Sequence, residues 1–165
     1  MAEIILLNQL KYKVEFLRSN NKNIKIAATN GCFDILHVGH IRSLQKAKTL
    51  GDVLIVGINS DSSVRTLKGN SRPINNENDR AEVLAALACV DIVSIFNEQT
   101  AENFLEIVKP NIYAKGAEYD LNILPEAILV RKYSGQTIQI GKNFFVKDVF
   151  KHFPVALIKN EVKHE

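Results

Sequence analysis

Apolar residues along this chain follow two alternating spacings. Leu6, Leu7, Leu10, Val14, Phe16 and Leu17 recur at helical intervals within residues 3–19, and the polar run Ser19-Asn20-Asn21-Lys22-Asn23 then breaks the pattern. This predicts an N-terminal helical extension over 1–23. Ile24 to Ala28 reads as a buried strand ending at Thr29-Asn30-Gly31, and residues 38–50 as a helix with Ile41, Leu44, Ala47 and Leu50 on one face. Val53 to Ile58 is a continuous apolar run, the pattern of a parallel strand covered on both sides. A polar loop is expected over 59–78, a helix over about 79–89 and a strand at Ile92–Phe96. A short helix follows from Thr100, its expected N-cap, to Val108. A strand at Asn111–Ala114, a helix near 125–133, a strand at Thr137–Ile140 and a terminal helix near 144–152 complete the pattern.

Strands that alternate with helices predict an α/β fold, a Rossmann-like parallel sheet with helices on both faces. The expected organisation is a single domain over 1–165, with a core at 24–152 and a tail at 153–165. Ligands of such sheets bind beyond the carboxyl ends of the strands. The polar signals Asn30-Gly31, Asn59-Ser60-Asp61 and Lys115-Gly116 fall at those ends.

Composition narrows the function without naming it. With 46% hydrophobic and 24% charged residues the chain is an ordinary globular one. A net charge of +3 suits small anionic substrates and is too weak to argue for nucleic acid. No apolar run approaches the length of a membrane span and no signal-peptide pattern opens the chain, so the expected location is cytoplasmic, with no membrane partner. Cys32 and Cys89 form neither a metal motif nor a disulfide framework.

The chemistry concentrates in Thr29-Asn30-Gly31-Cys32-Phe33-Asp34-Ile35-Leu36-His37-Val38-Gly39-His40. His37 and His40, three residues apart at a helix start, lie on nearly one face. Helix-terminal N–H groups favour a phosphate there, and imidazole N–H groups add directed bonds as charge builds at phosphorus. Gly39 between them permits close approach to the backbone, and Gly31 supplies a flexible turn. No protein nucleophile is required if one phosphate attacks another directly. The plainer alternative is two histidines capping a helix. For Lys68 it is a solvated loop lysine, and for Arg72 an anchor of its loop. Arg80 has a helix-surface pair with Glu77 or Glu82 as its alternative. Asp34 reads as a structural acceptor, Cys32 as a small packed side chain and Cys89 as core.

The segment G-x-F-D-x-x-H-x-G-H after a first strand resembles the signature of the cytidylyltransferase-like (HxGH) nucleotidyltransferase superfamily. Gly51–Asp61, Leu67-Lys68-Gly69, Ser71-Arg72-Pro73-Ile74-Asn75, Asp79–Leu84, Cys89-Val90-Asp91 and Lys115-Gly116 extend the likeness. Within that superfamily they resemble the adenylyltransferases acting on D-glycero-β-D-manno-heptose 1-phosphate. The resemblance implies transfer of AMP from ATP, with Mg²⁺, to a sugar 1-phosphate and release of pyrophosphate. It implies catalytic roles for His37, His40 and Lys68. Nucleotide or phosphate contacts would come from Asn30, Gly31, Phe33, Gly39, Arg80, Lys115 and Gly116. Sugar-phosphate contacts would come from Asn59, Asp61 and Arg72, and no protein side chain is assigned to metal. It also implies a separate sugar kinase in the same pathway and leaves a homodimer open.

The family sets a small hydroxyl cluster at the start of its last helix, where this chain reads Gly141-Lys142-Asn143. Either Lys142, Asn143 and backbone amides replace the hydroxyls at the nucleotide phosphates, or that end of the site is weakened. A cytidylyltransferase for glycerol 3-phosphate or a similar alcohol phosphate, and a non-catalytic nucleotide-binding protein, stand as alternatives.

Overall fold

A computed structural model describes residues 1–141. The terminal helix expected near 144–152, the tail, and the Lys142–Asn143 substitution lie outside the described residues. Among the described residues six strands, β1 (Glu3–Ile4), β2 (Ile26–Gly31), β3 (Val53–Asn59), β4 (Ile92–Phe96), β5 (Ile112–Gly116) and β6 (Gln136–Ile140), form one sheet in the order β1-β4-β3-β2-β5-β6. Every neighbouring pair is parallel. Among the same residues six helices connect them: α1 (Leu7–Asn20), α2 (Val38–Lys48), α3 (Asp61–Lys68), α4 (Glu77–Ala85), α5 (Glu102–Val108) and α6 (Pro125–Lys132).

The uninterrupted apolar run of β3 has a direct physical cause. Successive side chains leave a strand on opposite faces. Ile55 enters one core cluster, while Leu54, Val56 and Ile58 enter the other. β2 divides in the same way, with Ile26 and Ala28 on one side and Ala27 on the other. The first cluster is closed by α1, α5 and α6, through Leu10, Val14, Phe104, Leu105, Ala127 and Val130. The second is closed by α2 and α4, through Leu44, Ala47, Ala81 and Leu84. The sheet therefore has helices on both faces, as its apolar pattern predicts. No helix among the described residues is long and apolar enough to cross a membrane.

Three local expectations are corrected. Residues 3–4 are an edge strand, with Glu3 opposite Ile92, and the helix begins only at Leu7. Two residues are too few for a strand period, so the helical spacing of their neighbours masked them. α1 itself packs on the domain, with Leu10 and Val14 buried in the first cluster. The polar stretch 59–78 contains α3, capped by Ser60, whose hydroxyl accepts from Ser63 N at 3.3 Å. α5 is preceded at its cap by Ala101, not Thr100, whose hydroxyl bonds Glu102 Oε2 at 3.0 Å.

The chain steps from β2 outward through β3 to β4, then returns to lay β5 on the other side of β2. That reversal opens a crevice at the carboxyl ends of β2 and β5. Asn30, Gly31, Lys115 and Gly116 occupy those ends.

Gly57 shows how tightly one face is packed. A Cβ there would stand 2.9 Å from Phe104 Cδ1 and Cε1. Gly57→Ala is expected to destabilise the fold by about 1–3 kcal/mol through overpacking, read as a lower urea midpoint with unchanged slope. An unchanged midpoint would mean that the Phe104 ring yields freely.

Candidate functional site

β2 runs into the turn 32–36, where Phe33 adopts a left-handed backbone (φ 47°). That conformation costs a bulky residue on the order of 1 kcal/mol, so the surroundings must hold it. The Phe33 ring folds back over Gly31, where a Cβ would stand 3.1 Å from Phe33 Cε2. Asp34, 6% exposed, ties the turn to the segment after α3. Its Oδ2 accepts from Arg72 Nη1 at 2.7 Å, and its Oδ1 from Ile74 N at 2.8 Å and Asn75 N at 3.1 Å. Burial pushes this carboxyl up, but the Arg72 hydrogen bond, the two backbone donors and the Arg72 charge hold it below the usual range. Asp34 is thus the structural acceptor that its position suggested.

The histidines cap α2 reciprocally. His37 Nδ1 accepts from Gly39 N at 3.1 Å, and His40 Nδ1 accepts from His37 N at 3.4 Å. Gly39 is buried, so its N–H serves the cap. The two rings stack with centroids 3.8 Å apart, and His40 meets Phe33 edge-on at 5.3 Å. A ring nitrogen that accepts carries no proton, so the neutral imidazoles are protonated at Nε2. Burial lowers the pKa of His37. Burial, with the His37 and Lys68 charges added, lowers that of His40 to about 4. At neutral pH both rings are uncharged donors through Nε2–H.

Two clefts open beside this pair. One, about 450 Å³, is lined by Phe33, His37, His40, Lys68, Ser71 and Arg72. It falls in the range of small-ligand sites, ~300–1,000 Å³. Lys68 is the exposed last residue of α3, facing the histidines rather than sitting in a loop. The other cleft is the crevice between β2 and β5, lined by Asn30, Gly31, Lys115, Gly116, Glu118 and Tyr119. Phe33 and His40 line both.

Other predicted site residues serve as scaffold. Arg80, whose side chain is 1% exposed, donates Nε to Asn75 O at 3.0 Å, Nη1 to Cys32 O at 2.5 Å and Nη2 to Asp61 Oδ1 at 2.8 Å. The anticipated contact with a ligand anion gives way to a knot between three chain segments. Its ion-pair partner is Asp61, neither Glu77 nor Glu82, and Glu77 Oε2 instead accepts from Asp61 N at 2.6 Å. Asn59 is buried, donating Nδ2 to Ser63 Oγ at 3.0 Å, with Cys32 Sγ 3.9 Å from its Oδ1. Arg72 does anchor its loop through Asp34, but its side chain, 37% exposed, also lines the larger cleft. Cys89 is only half-buried, at the margin of the second cluster. Tyr113, Glu118, Tyr119 and the buried Glu126 were not singled out from sequence. Nothing in their spacing marks them, although Glu118 and Tyr119 follow the Lys115-Gly116 signal directly.

A parallel sheet reversing at β2, with paired imidazoles at the joint of two clefts, is the arrangement of a nucleotidyltransferase domain. A family model described as cytidylyltransferase-like matches residues 28–160, and the chain belongs to that family. It is 54% identical over 101 residues to the bifunctional protein HldE of Aliarcobacter butzleri (strain RM4018), a match covering 61% of this chain and 21% of that one. It is 52% identical over 127 residues to the bifunctional protein HldE of Campylobacter jejuni subsp. jejuni, covering 75% of this chain and 27% of that one. The chain thus spans 21% to 27% of these relatives' length. Among solved structures it is similar to the lipopolysaccharide core biosynthesis protein from Thermoplasma volcanium GSS1. The identity there is 31% and the TM-score 0.62, with 72% of this chain and 97% of that one covered. A pantoate-beta-alanine ligase from Francisella tularensis, 19% identical with a TM-score of 0.60 over 85% of this chain and 67% of that one, shares the fold.

Arg80→Met would leave the Asp61 carboxylate and two carbonyls without their donor. The expected cost is about 3–5 kcal/mol, the usual consequence of breaking a buried pair, measured by chemical denaturation. A loss below about 1 kcal/mol would remove Arg80 from the support of the turn.

Proposed function

We propose that this chain transfers AMP from ATP to a sugar 1-phosphate, giving an ADP-sugar and pyrophosphate, with D-glycero-β-D-manno-heptose 1-phosphate as the sugar phosphate. The observation that carries this reading is the His37–His40 pair at the junction of two clefts, each ring offering an Nε2–H donor. Family membership and the names of the relatives support it.

In this reading the nucleotide sits in the β2–β5 crevice, which Asn30, Gly31, Phe33, Lys115 and Gly116 line. The larger cleft takes the acceptor phosphate near Lys68 and Arg72. An oxygen of the acceptor phosphate attacks the α-phosphorus of ATP. The new P–O bond forms as the bond to the β,γ-diphosphate breaks, and pyrophosphate departs with the bonding electrons. No protein nucleophile takes part. The uncharged imidazoles donate to phosphoryl oxygens as negative charge shifts, at little reorganisation cost because the reciprocal cap already fixes both rings. Lys68 adds a mobile positive charge, and Arg72 a second one whose position Asp34 fixes. Asn59, Asp61 and Arg80 hold the walls from below. Among the described residues no three His, Cys, Asp or Glu side chains converge as metal ligands. Mg²⁺ would arrive with ATP, held chiefly by phosphate oxygens and water.

His40→Ala is expected to lower kcat about a hundredfold, roughly 3 kcal/mol of barrier, with a smaller effect on ATP affinity. His40 also caps α2, so thermal unfolding of the variant is measured beside its rate. A folded variant with near-normal turnover would exclude the histidine from the chemistry.

Pyrophosphate release is then assayed with ATP or CTP against heptose 1-phosphate, other sugar 1-phosphates and glycerol 3-phosphate. ATP with heptose 1-phosphate is expected to give the highest kcat/KM. Comparable efficiency with CTP and glycerol 3-phosphate would favour a cytidylyltransferase. Absence of both turnover and ATP binding would favour a non-catalytic protein.

A further inference from the structure

Lys115 is a buried charge at the floor of the β2–β5 crevice. It is 6% exposed, and its Nζ donates to the backbone oxygen and to Oδ1 of Asn30, both at 3.1 Å. The ammonium also lies 4.6 Å from the centre of the Tyr119 ring. Tyr113, fully buried, donates its hydroxyl to the same Asn30 Oδ1 at 2.6 Å. An ammonium can only donate, so the atom it shares with Tyr113 is the amide oxygen. This fixes which way the carboxamide faces. Among the described residues nothing accepts from Asn30 Nδ2, and Asn30 lines the same crevice as His40.

We propose that Lys115 is a positioning residue: with Tyr113 it orients the Asn30 carboxamide so that the Nδ2 hydrogens meet the nucleotide, instead of contacting the phosphates itself. This rests on the reading of the crevice as the nucleotide site. Lys115 has two of its donors on Asn30 and little exposed surface, so it is badly placed to wrap an anion. Burial lowers its pKa to about 8, against the Glu126 charge from α6, the Glu118 charge from the segment after β5 and Cys32 from the turn after β2, which all favour the ammonium. Tyr113 is pushed far up by burial and then by Glu126, Tyr119 and Tyr133, so its hydroxyl stays a donor throughout the working range.

A double-mutant cycle separates the two roles. ATP affinity by calorimetry, with kcat and KM, is measured for wild type, Asn30→Ala, Lys115→Met and the double variant. Losing an oriented donor is expected to weaken ATP about tenfold in each single variant, with a smaller change in kcat. The double variant should then match Asn30→Ala within about twofold. A product of the two losses, about a hundredfold, overturns the proposal, because Lys115 would then act on ATP independently of Asn30. Tyr113→Phe provides the same cycle should Lys115→Met fail to fold. In wild type, ATP affinity should fall as the pH rises past about 8, where the ammonium becomes a weaker, neutral donor. In Asn30→Ala that dependence should vanish, and its persistence would also overturn the proposal. A wild type that binds ATP without releasing pyrophosphate would refute the transferase reading, while the affinity cycle would still decide the role of Lys115.

Discussion

The turn between β2 and α2 is held open by one buried guanidinium. Arg80 reaches from α4 to the Cys32 carbonyl within the turn, to Asn75 in the loop behind it, and to Asp61 at the start of α3. Everything that lines the larger cleft hangs from these three segments: Phe33 and the histidines from the first, Arg72 from the second, Lys68 from the third. Arginine suits this position because its planar fork donates in several fixed directions at once, which a lysine cannot do. Asp34 adds a second tie from the same turn to residues 72–75. The left-handed backbone of Phe33 is sustained between them.

In the proposed reading, that scaffold would let the site meet a phosphate with little rearrangement. Each histidine uses Nδ1 for a backbone N–H and keeps Nε2–H for a ligand. The cap that starts α2 thus also selects the tautomer. On the other side of the turn, Tyr113 and Lys115 do the equivalent for Asn30. In both places a buried partner consumes one polar atom and leaves the opposite one for the cleft. Electrostatics follow the same division: the imidazoles are uncharged, while Lys68 and Arg72 bring positive charge from the facing wall.

Much of this was legible in the sequence because it depends on local periodicity. The unbroken run Val53–Ile58 specified a strand covered on both faces, and the spacing Ile41, Leu44, Ala47, Leu50 specified one buried helical face. The order of strands and helices specified the layers. The joint between Gly31 and His40 was visible as a cluster of turn and imidazole residues. The edge strand Glu3–Ile4 was too short to carry a period, and α3 was hidden in a polar stretch whose helix buries only Ser63 and Val64.

Which groups are spent and which remain for a ligand was decided by the tertiary structure alone. Arg80, Arg72 and Lys115 look alike in sequence, as basic residues near strand or loop ends. Arg80 is consumed by partners 5, 19 and 48 residues away, and Lys115 by Asn30, 85 residues away. Arg72 is held by Asp34 yet still reaches the cleft. Such pairings depend on the return of the chain from β4 to β5 and on the depth at which each side chain is buried. A sequence pattern records only neighbours along the chain, so it located the loops that make the site but not the partner of each charge.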